Sequence, residues 1–192
     1  MPPKVKITRQ QISDAAFALV RERGIGALNA RELAARIGCS TQPIFTCFSG
    51  MEEVREDVMD RAYDCYYAMQ KEDMEKGEYP PVKASGMAYI RFAKEEKELF
   101  RFLFMRDRRK EEGTVDPPDA LIAKICEATG MTREEAILFH AELWIMVHGI
   151  GTMLATDYFN WEKETISEVL TDVYFGLLHR YKERKMNSNE GN

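Results

Sequence analysis

Three histidines and four cysteines have the widest chemical repertoire in this 192-residue chain, and their spacing limits what they can do. Cys39, Cys47, Cys65 and Cys126 lie far apart and form no CxxC pair, so neither a zinc site nor a disulfide framework is indicated. Two readings of them stand: small buried hydrophobes in a reducing compartment, or redox sensing by Cys39 and Cys47. His140 and His148 share roughly one face of a helix but are two turns apart, too far to bind one metal without outside ligands. No Ser/His/Asp, Cys/His, paired-carboxylate or phosphate-loop constellation stands out. These residues therefore argue against an enzyme and call for no metal and no cofactor. His148 keeps two readings, a ligand contact whose neutral imidazole donates and accepts, or a satisfied core histidine.

The elements that must position these residues are helical almost throughout, and alternating β-branched runs are missing. Thr8-Arg9-Gln10-Gln11 reads as a capping box, Ile12, Ala15, Ala16, Leu19 and Val20 follow on one apolar stripe, and Gly24 ends it. A second helix is expected from Asn29, with Glu32 as reciprocal cap, to Gly38. A third begins at Ser40 and tolerates Pro43 in its first turn. A long helix spans about Met51 to Lys76, and others cover about Val82–Glu96, Glu98–Asp107, Asp119–Thr129, Thr132–Phe159 and Glu162–Lys185. The expected fold is all-α, with about nine helices. Residues 1–50 form one domain with a helix-turn-helix, 51–186 a larger helical domain, and 187–192 a polar tail. Apolar residues at 45% and charged residues at 31% fit a soluble protein. No apolar run approaches the roughly 18 residues of a membrane span, and no signal-peptide stretch follows the basic start. A cytoplasmic location with no membrane partner is expected.

Two short helices joined at Gly38-Cys39 fit a helix-turn-helix. Ala34 lets the second helix pass close, Gly38 adopts the positive φ of a sharp turn, and Ile44 faces back to lock the pair. The third helix is then free to offer its outward side chains to a major groove. Charge points the same way. Residues 1–50 hold seven Lys/Arg against three acids, a balance of +4 within a net charge of −5. That is the distribution expected if only this end meets phosphate, although a solvated tail with ordinary surface charge gives the same count.

The stretch from Thr8 to Val54 resembles the DNA-binding domain of the TetR family. The matching residues are Ile12-x2-Ala15-Ala16-Phe17, Arg23-Gly24, Asn29-Ala30-Arg31-Glu32-Leu33-Ala34, Gly38-Cys39-Ser40, Ile44-Phe45, Phe48 and Glu52-Glu53-Val54, in register without gaps. The resemblance implies an Ω-shaped homodimer whose recognition helices enter successive major grooves of a palindromic operator in double-stranded DNA. It places Ser40, Thr41, Gln42, Pro43, Phe45 and Thr46 against DNA, and Asn29 and Arg31 on its backbone. The residue types suit those roles: Gln42 can read adenine edges, while Thr41 and Pro43 can pack on thymine methyls. Family members usually carry a phosphate-touching Lys where Met51 stands, and Tyr then His or Tyr at Thr46 and Cys47. Lys4, Lys6 and Arg9 could supply the missing charge from an N-terminal arm.

Farther along, Tyr89-Ile90-Arg91-Phe92-Ala93, Leu99-Phe100-Arg101-Phe102 and Trp144-x3-His148-Gly149 resemble the ligand domain of a TetR subgroup named for its Trp-His-Gly motif. The resemblance implies a small-molecule effector of unspecified identity. Tyr66, Tyr89, Phe92, Phe100, Phe104, Trp144 and His148 are the candidate pocket residues for an aromatic or lipophilic effector, against ordinary helix packing as the plainer reading. The helix over 137–154 is apolar nearly all round, with Gly149 and Gly151 as points of close approach. With the last helix, and with Val169, Val173, Leu177 and Leu178, it is expected to form the dimer interface, or else merely core. The leading function is a repressor released from its operator by the effector. An activator, a corepressed or a ligand-independent regulator, and a plain helical module or enzyme, are the alternatives.

Overall fold

The computed structural model describes residues 7–107, 117 and 119–190. Nine α-helices follow one another among them: α1 (Arg9–Arg23), α2 (Ala30–Ile37), α3 (Gln42–Cys47), α4 (Met51–Lys76), α5 (Pro81–Glu95), α6 (Lys97–Phe104), α7 (Asp119–Thr129), α8 (Arg133–Ala155) and α9 (Lys163–Glu190), with a 3-10 turn at Ile25–Ala27. No strand occurs among the described residues. The fold is all-α, as the periodicity implied.

Local chemistry sets most of the boundaries. Thr8 closes a capping box with Gln11, and Thr132 closes another with Glu135. Gly38, in the left-handed region at φ 77°, ends α2 with its N–H directed to Ala34 and Ala35 carbonyls, and Cys39 N–H also reaches Ala34. A side chain at 38 would meet nothing within 4 Å, so backbone conformation is what selects glycine there. Asn29 caps α2 by accepting from the Arg31 and Glu32 N–H groups. The expected reciprocal cap from Glu32 is absent, because the Glu32 carboxylate is drawn to Arg23 at 2.7 Å. The third helix begins at Gln42, not Ser40, so Ser40 and Thr41 belong to the turn. At the other end α9 continues to Glu190, through most of the stretch expected to be a polar tail.

The largest core ignores the expected boundary after residue 50. Ile12, Ala16 and Val20 of α1, Leu33 and Ala34 of α2, and Ile44 of α3 pack with Val54, Val58 and Ala62 of α4 and with residues of α5 and α6. A polar tie crosses the same seam. Ser13 Oγ donates to Asp57, Arg61 donates to Ser13 Oγ at 2.7 Å, and Arg61 pairs with Asp14 at 2.8 Å. A second cluster joins α5, α8 and α9 around Ile90, Ile150 and Leu170, and a third joins α7, α8 and α9 around Ile125, Phe139 and Tyr181.

Candidate nucleic-acid interface and aromatic cluster

In α3, Ile44 is fully buried and Phe48 just beyond it is 2% exposed. The helix is thus anchored on one side, and Gln42, Phe45 and Thr46 are left on the other, all exposed. Phe45 is 51% exposed, a ring with no intramolecular reason to face water. The Thr46 hydroxyl donates to the Gln42 carbonyl at 2.9 Å, which leaves its methyl outward. Thr41 and Pro43 are half-buried, and Ser40, Asn29 and Arg31 are exposed. All eight residues therefore lie on α3, the turn before it or the start of α2.

The basic residues nearby divide sharply. Arg9 donates to the Cys47 carbonyl at 2.7 Å, pairs with Glu53 at 2.8 Å and lies 3.9 Å over the Phe48 ring. It therefore fastens the C-terminal end of α3 and is not an unattached arm residue. Arg21, Arg23 and Arg36 pair with Glu96, Glu32 and Glu22. Of the arginines over 7–50, Arg31 alone has no ion-pair partner among the described residues. Lys4 and Lys6 lie outside them. Glu53 accepts from the Ser49 N–H at 2.6 Å and its hydroxyl at 2.8 Å, which with Arg9 holds its carboxyl down at about 2. Met51 is half-buried and packs on the core, so the position resembling a phosphate-binding Lys is used for packing.

The seven candidate pocket residues do come together. The Tyr66 ring lies 5.9 Å from Tyr89, 5.4 Å from Phe92 and 5.4 Å from Phe104, and Tyr89 lies 5.2 Å from Phe100 and 4.8 Å from Phe104. The Tyr89 hydroxyl and His148 Nδ1 are 2.8 Å apart, and His148 stacks on Trp144 with centroids at 4.9 Å. Burial pushes the Tyr66 phenol up to about 12 and lowers His148, so both stay neutral near pH 7. The rings fill the space between themselves. Phe92 and Phe100 are fully buried, and Trp144 is 45% exposed on the outer side of His148. A cleft of about 380 Å³ lies elsewhere, between α7 and α8, lined by Pro117, Asp119, Ile122, Arg133 and Ile137. Among the described residues no three His, Cys, Asp or Glu side chains gather as a metal site.

Residues 82–174 match the family described as "Tetracyclin repressor-like, C-terminal domain". The chain superimposes on the crystal structure of a TetR-like transcriptional regulator from Rhodococcus sp. RHA1 with a TM-score of 0.63, covering 91% of this chain and 96% of that one. The fold is TetR-like. At 14% identity that second likeness is one of fold alone. No curated protein matches the sequence.

The long helices of this TetR-like fold carry a large apolar outer face. On α8, Leu138 is 52% and Ile145 65% exposed, with Met146 and Met153 beside them, and on α9 Phe175 is 60% exposed. Val169, Val173, Leu177 and Leu178, expected on this surface, are only half-exposed, and Val169, Leu177 and Leu178 pack on the chain's own core. Gly151 meets the expectation of close approach, since a side chain there would come within 3.1 Å of Phe100, whereas Gly149 faces no neighbour within 4 Å. α8 also corrects the hydropathy reading. An 18-residue window averages 1.4, long and apolar enough by composition to cross a membrane, with 28% of that window buried. The same helix buries Ala136, Phe139, Ile150 and Leu154 in the bundle, and its Glu142 is paired with Arg180.

Spacing did not reveal two ties that hold the helix-turn-helix in place. The Arg9–Glu53 clamp and the Arg21–Glu96 pair join residues 44 and 75 positions apart. Glu96 had one signal, a carboxylate in the break between two apolar helices.

Proposed function

We propose that this chain is a TetR-like transcriptional regulator, a homodimeric repressor that binds palindromic DNA through α3 and is released by a small-molecule effector. The observation that carries the reading is the division of α3. Ile44 is fully buried while Gln42, Phe45 and Thr46 all face solvent, so a rigid helix presents amide, aromatic and methyl groups outward. These groups suit base edges and thymine methyls in a major groove. Arg31, exposed in the first turn of α2 and without an ion-pair partner among the described residues, suits the phosphate backbone.

A single copy has one such helix, and a palindrome needs two about 34–36 Å apart. The apolar outer face of α8 and α9 supports pairing of two copies, because exposed Leu138, Ile145 and Phe175 are stabilised by burial against their twins. The aromatic cluster supports the effector part of the reading. It holds polar groups, Tyr66, Tyr89 and His148, among rings, a composition that suits a flat apolar ligand once the rings part. The exposure of α3 in the free chain supports the repressor sense, because the reading helix needs no effector to be presented. Selection on random duplexes tests the reading: it should recover a palindrome, bound by two chains per site. Recovery of no palindromic sequence, at low as well as moderate salt, overturns it.

A further inference from the structure

Between Arg36 and Arg55 the sequence has no Lys or Arg, so α3 and the turn before it hold no cation of their own. The flanking guanidiniums are engaged elsewhere. Arg36 donates to both oxygens of Glu22 at 2.7 and 2.6 Å, and Arg55 lies 5.4 Å over the Phe102 ring. Arg9 touches the end of α3 but is held there by the Cys47 carbonyl and Glu53. What α3 does present is mostly apolar. The Thr46 hydroxyl donates to the Gln42 carbonyl at 2.9 Å, which turns its methyl outward. Phe45, 51% exposed, has a ring with no hydroxyl to offer. Gln42 alone among the exposed side chains of α3 carries an amide. Ser40 and Thr41 add hydroxyls in the turn, and a hydroxyl serves any base edge without discriminating.

A surface of this kind selects bases by what it leaves unsatisfied. In the major groove guanine shows two acceptors, N7 and O6, and no apolar group. Laid under the Phe45 ring or the Thr46 methyl, those acceptors lose water and gain no donor, a net cost. Thymine alone among the four bases carries a 5-methyl there, and adenine offers N6 and N7 to a glutamine amide. We propose that the half-site read by α3 is built on A·T pairs recognised through thymine 5-methyl groups, with Phe45 and Thr46 the specificity-determining residues and no guanine held by a cation in that groove. This deepens the regulator reading above and rests on α3 docking in a major groove.

The test uses the full chain and the palindromic duplex recovered by selection, resynthesised with altered bases. Uracil keeps every hydrogen-bonding group of thymine and lacks only the methyl. Replacing thymines one symmetry-related pair at a time should weaken binding about fifteenfold at a contacted pair, about fourfold for each buried methyl. Uracils outside the contacted positions should change nothing, and 5-bromouracil, whose bromine is close to a methyl in size, should restore the loss. Replacing guanine by 7-deazaguanine, which lacks the N7 acceptor, should leave affinity within about threefold, since a cation on guanine is worth about fivefold or more. On the protein side, Thr46→Ser keeps the hydroxyl that bonds the Gln42 carbonyl and removes the methyl alone, while Phe45→Ala removes the ring. Both side chains are exposed, so neither variant threatens the fold. Loss of the uracil penalty at one pair in either variant supports the proposal, because only interacting groups are non-additive. A full penalty in both variants overturns it. So does a uracil duplex bound within about threefold of its thymine parent, or a larger loss with 7-deazaguanine. A palindrome bound regardless of uracil refutes this inference alone, whereas recovery of no palindrome removes the regulator reading and this one with it.

Discussion

Residues 29–48 and the aromatic cluster were both read from sequence as places where something binds, and the fold treats them in opposite ways. In the first, the named side chains face outward: Gln42, Phe45 and Thr46 are exposed over a buried Ile44. In the second they face each other. Phe92 and Phe100 are fully buried, and Tyr66, Tyr89 and Phe104 close the space between them. The difference teaches where each kind of site resides. A surface that docks on a duplex is made by a few residues of rigid backbone, whereas a pocket is the volume that packing leaves behind.

The largest effect should come from emptying the cluster. Phe100→Ala is expected to destabilise the fold by about 3–5 kcal/mol, read by urea denaturation, because the ring is fully buried against Tyr89, Phe104 and Gly151. A loss below about 1 kcal/mol would mean the rings pack loosely enough to admit a ligand as they stand. Gln42→Ala tests the other region. It should weaken binding to the selected duplex by about 1–3 kcal/mol and shift stability by less than about 0.5 kcal/mol. If stability falls as much as binding, α3 is core and the contrast between the regions disappears.

Charge sharpens the comparison on a smaller scale. Met51→Lys should steepen the salt dependence of DNA binding by about one unit in the log–log slope, with its stem retained on the core that Met51 now covers. The smallest effect concerns His148. Burial lowers its pKa, so the folded chain keeps the ring neutral where the unfolded chain takes a proton. Its contribution to stability is present above about pH 6.5, the unfolded value, and declines as pH falls from there toward the lowered folded value. His148→Gln should flatten that part of the decline in melting temperature between pH 7 and pH 5.5, while His140, also lowered by burial, retains its own share.

Much of the scaffold was legible because its signals are local. Thr8 with Gln11, Thr132 with Glu135 and Gly38 act over three or four residues, and they set helix ends where the sequence put them. Glu32 was misassigned for the converse reason. Arg23, nine residues earlier, competes for its carboxylate, and a guanidinium of opposite charge is a stronger partner for it than a neutral backbone N–H. The basic balance of residues 1–50 counts two charges whose partners lie outside that stretch. Glu53 and Glu96, both beyond residue 50, neutralise Arg9 and Arg21.

By itself the sequence determined the helices, the turn at Gly38 and the outward set on α3, because capping, backbone conformation and a 3.6-residue period are settled within one or two turns of chain. Tertiary structure alone decided that the α1–α4 seam is a continuous core, that the aromatic residues fill their own space, and that Arg21 meets Glu96 across 75 positions. Those outcomes depend on which faces of separate helices meet and on whether water is left between them, and no local pattern encodes either.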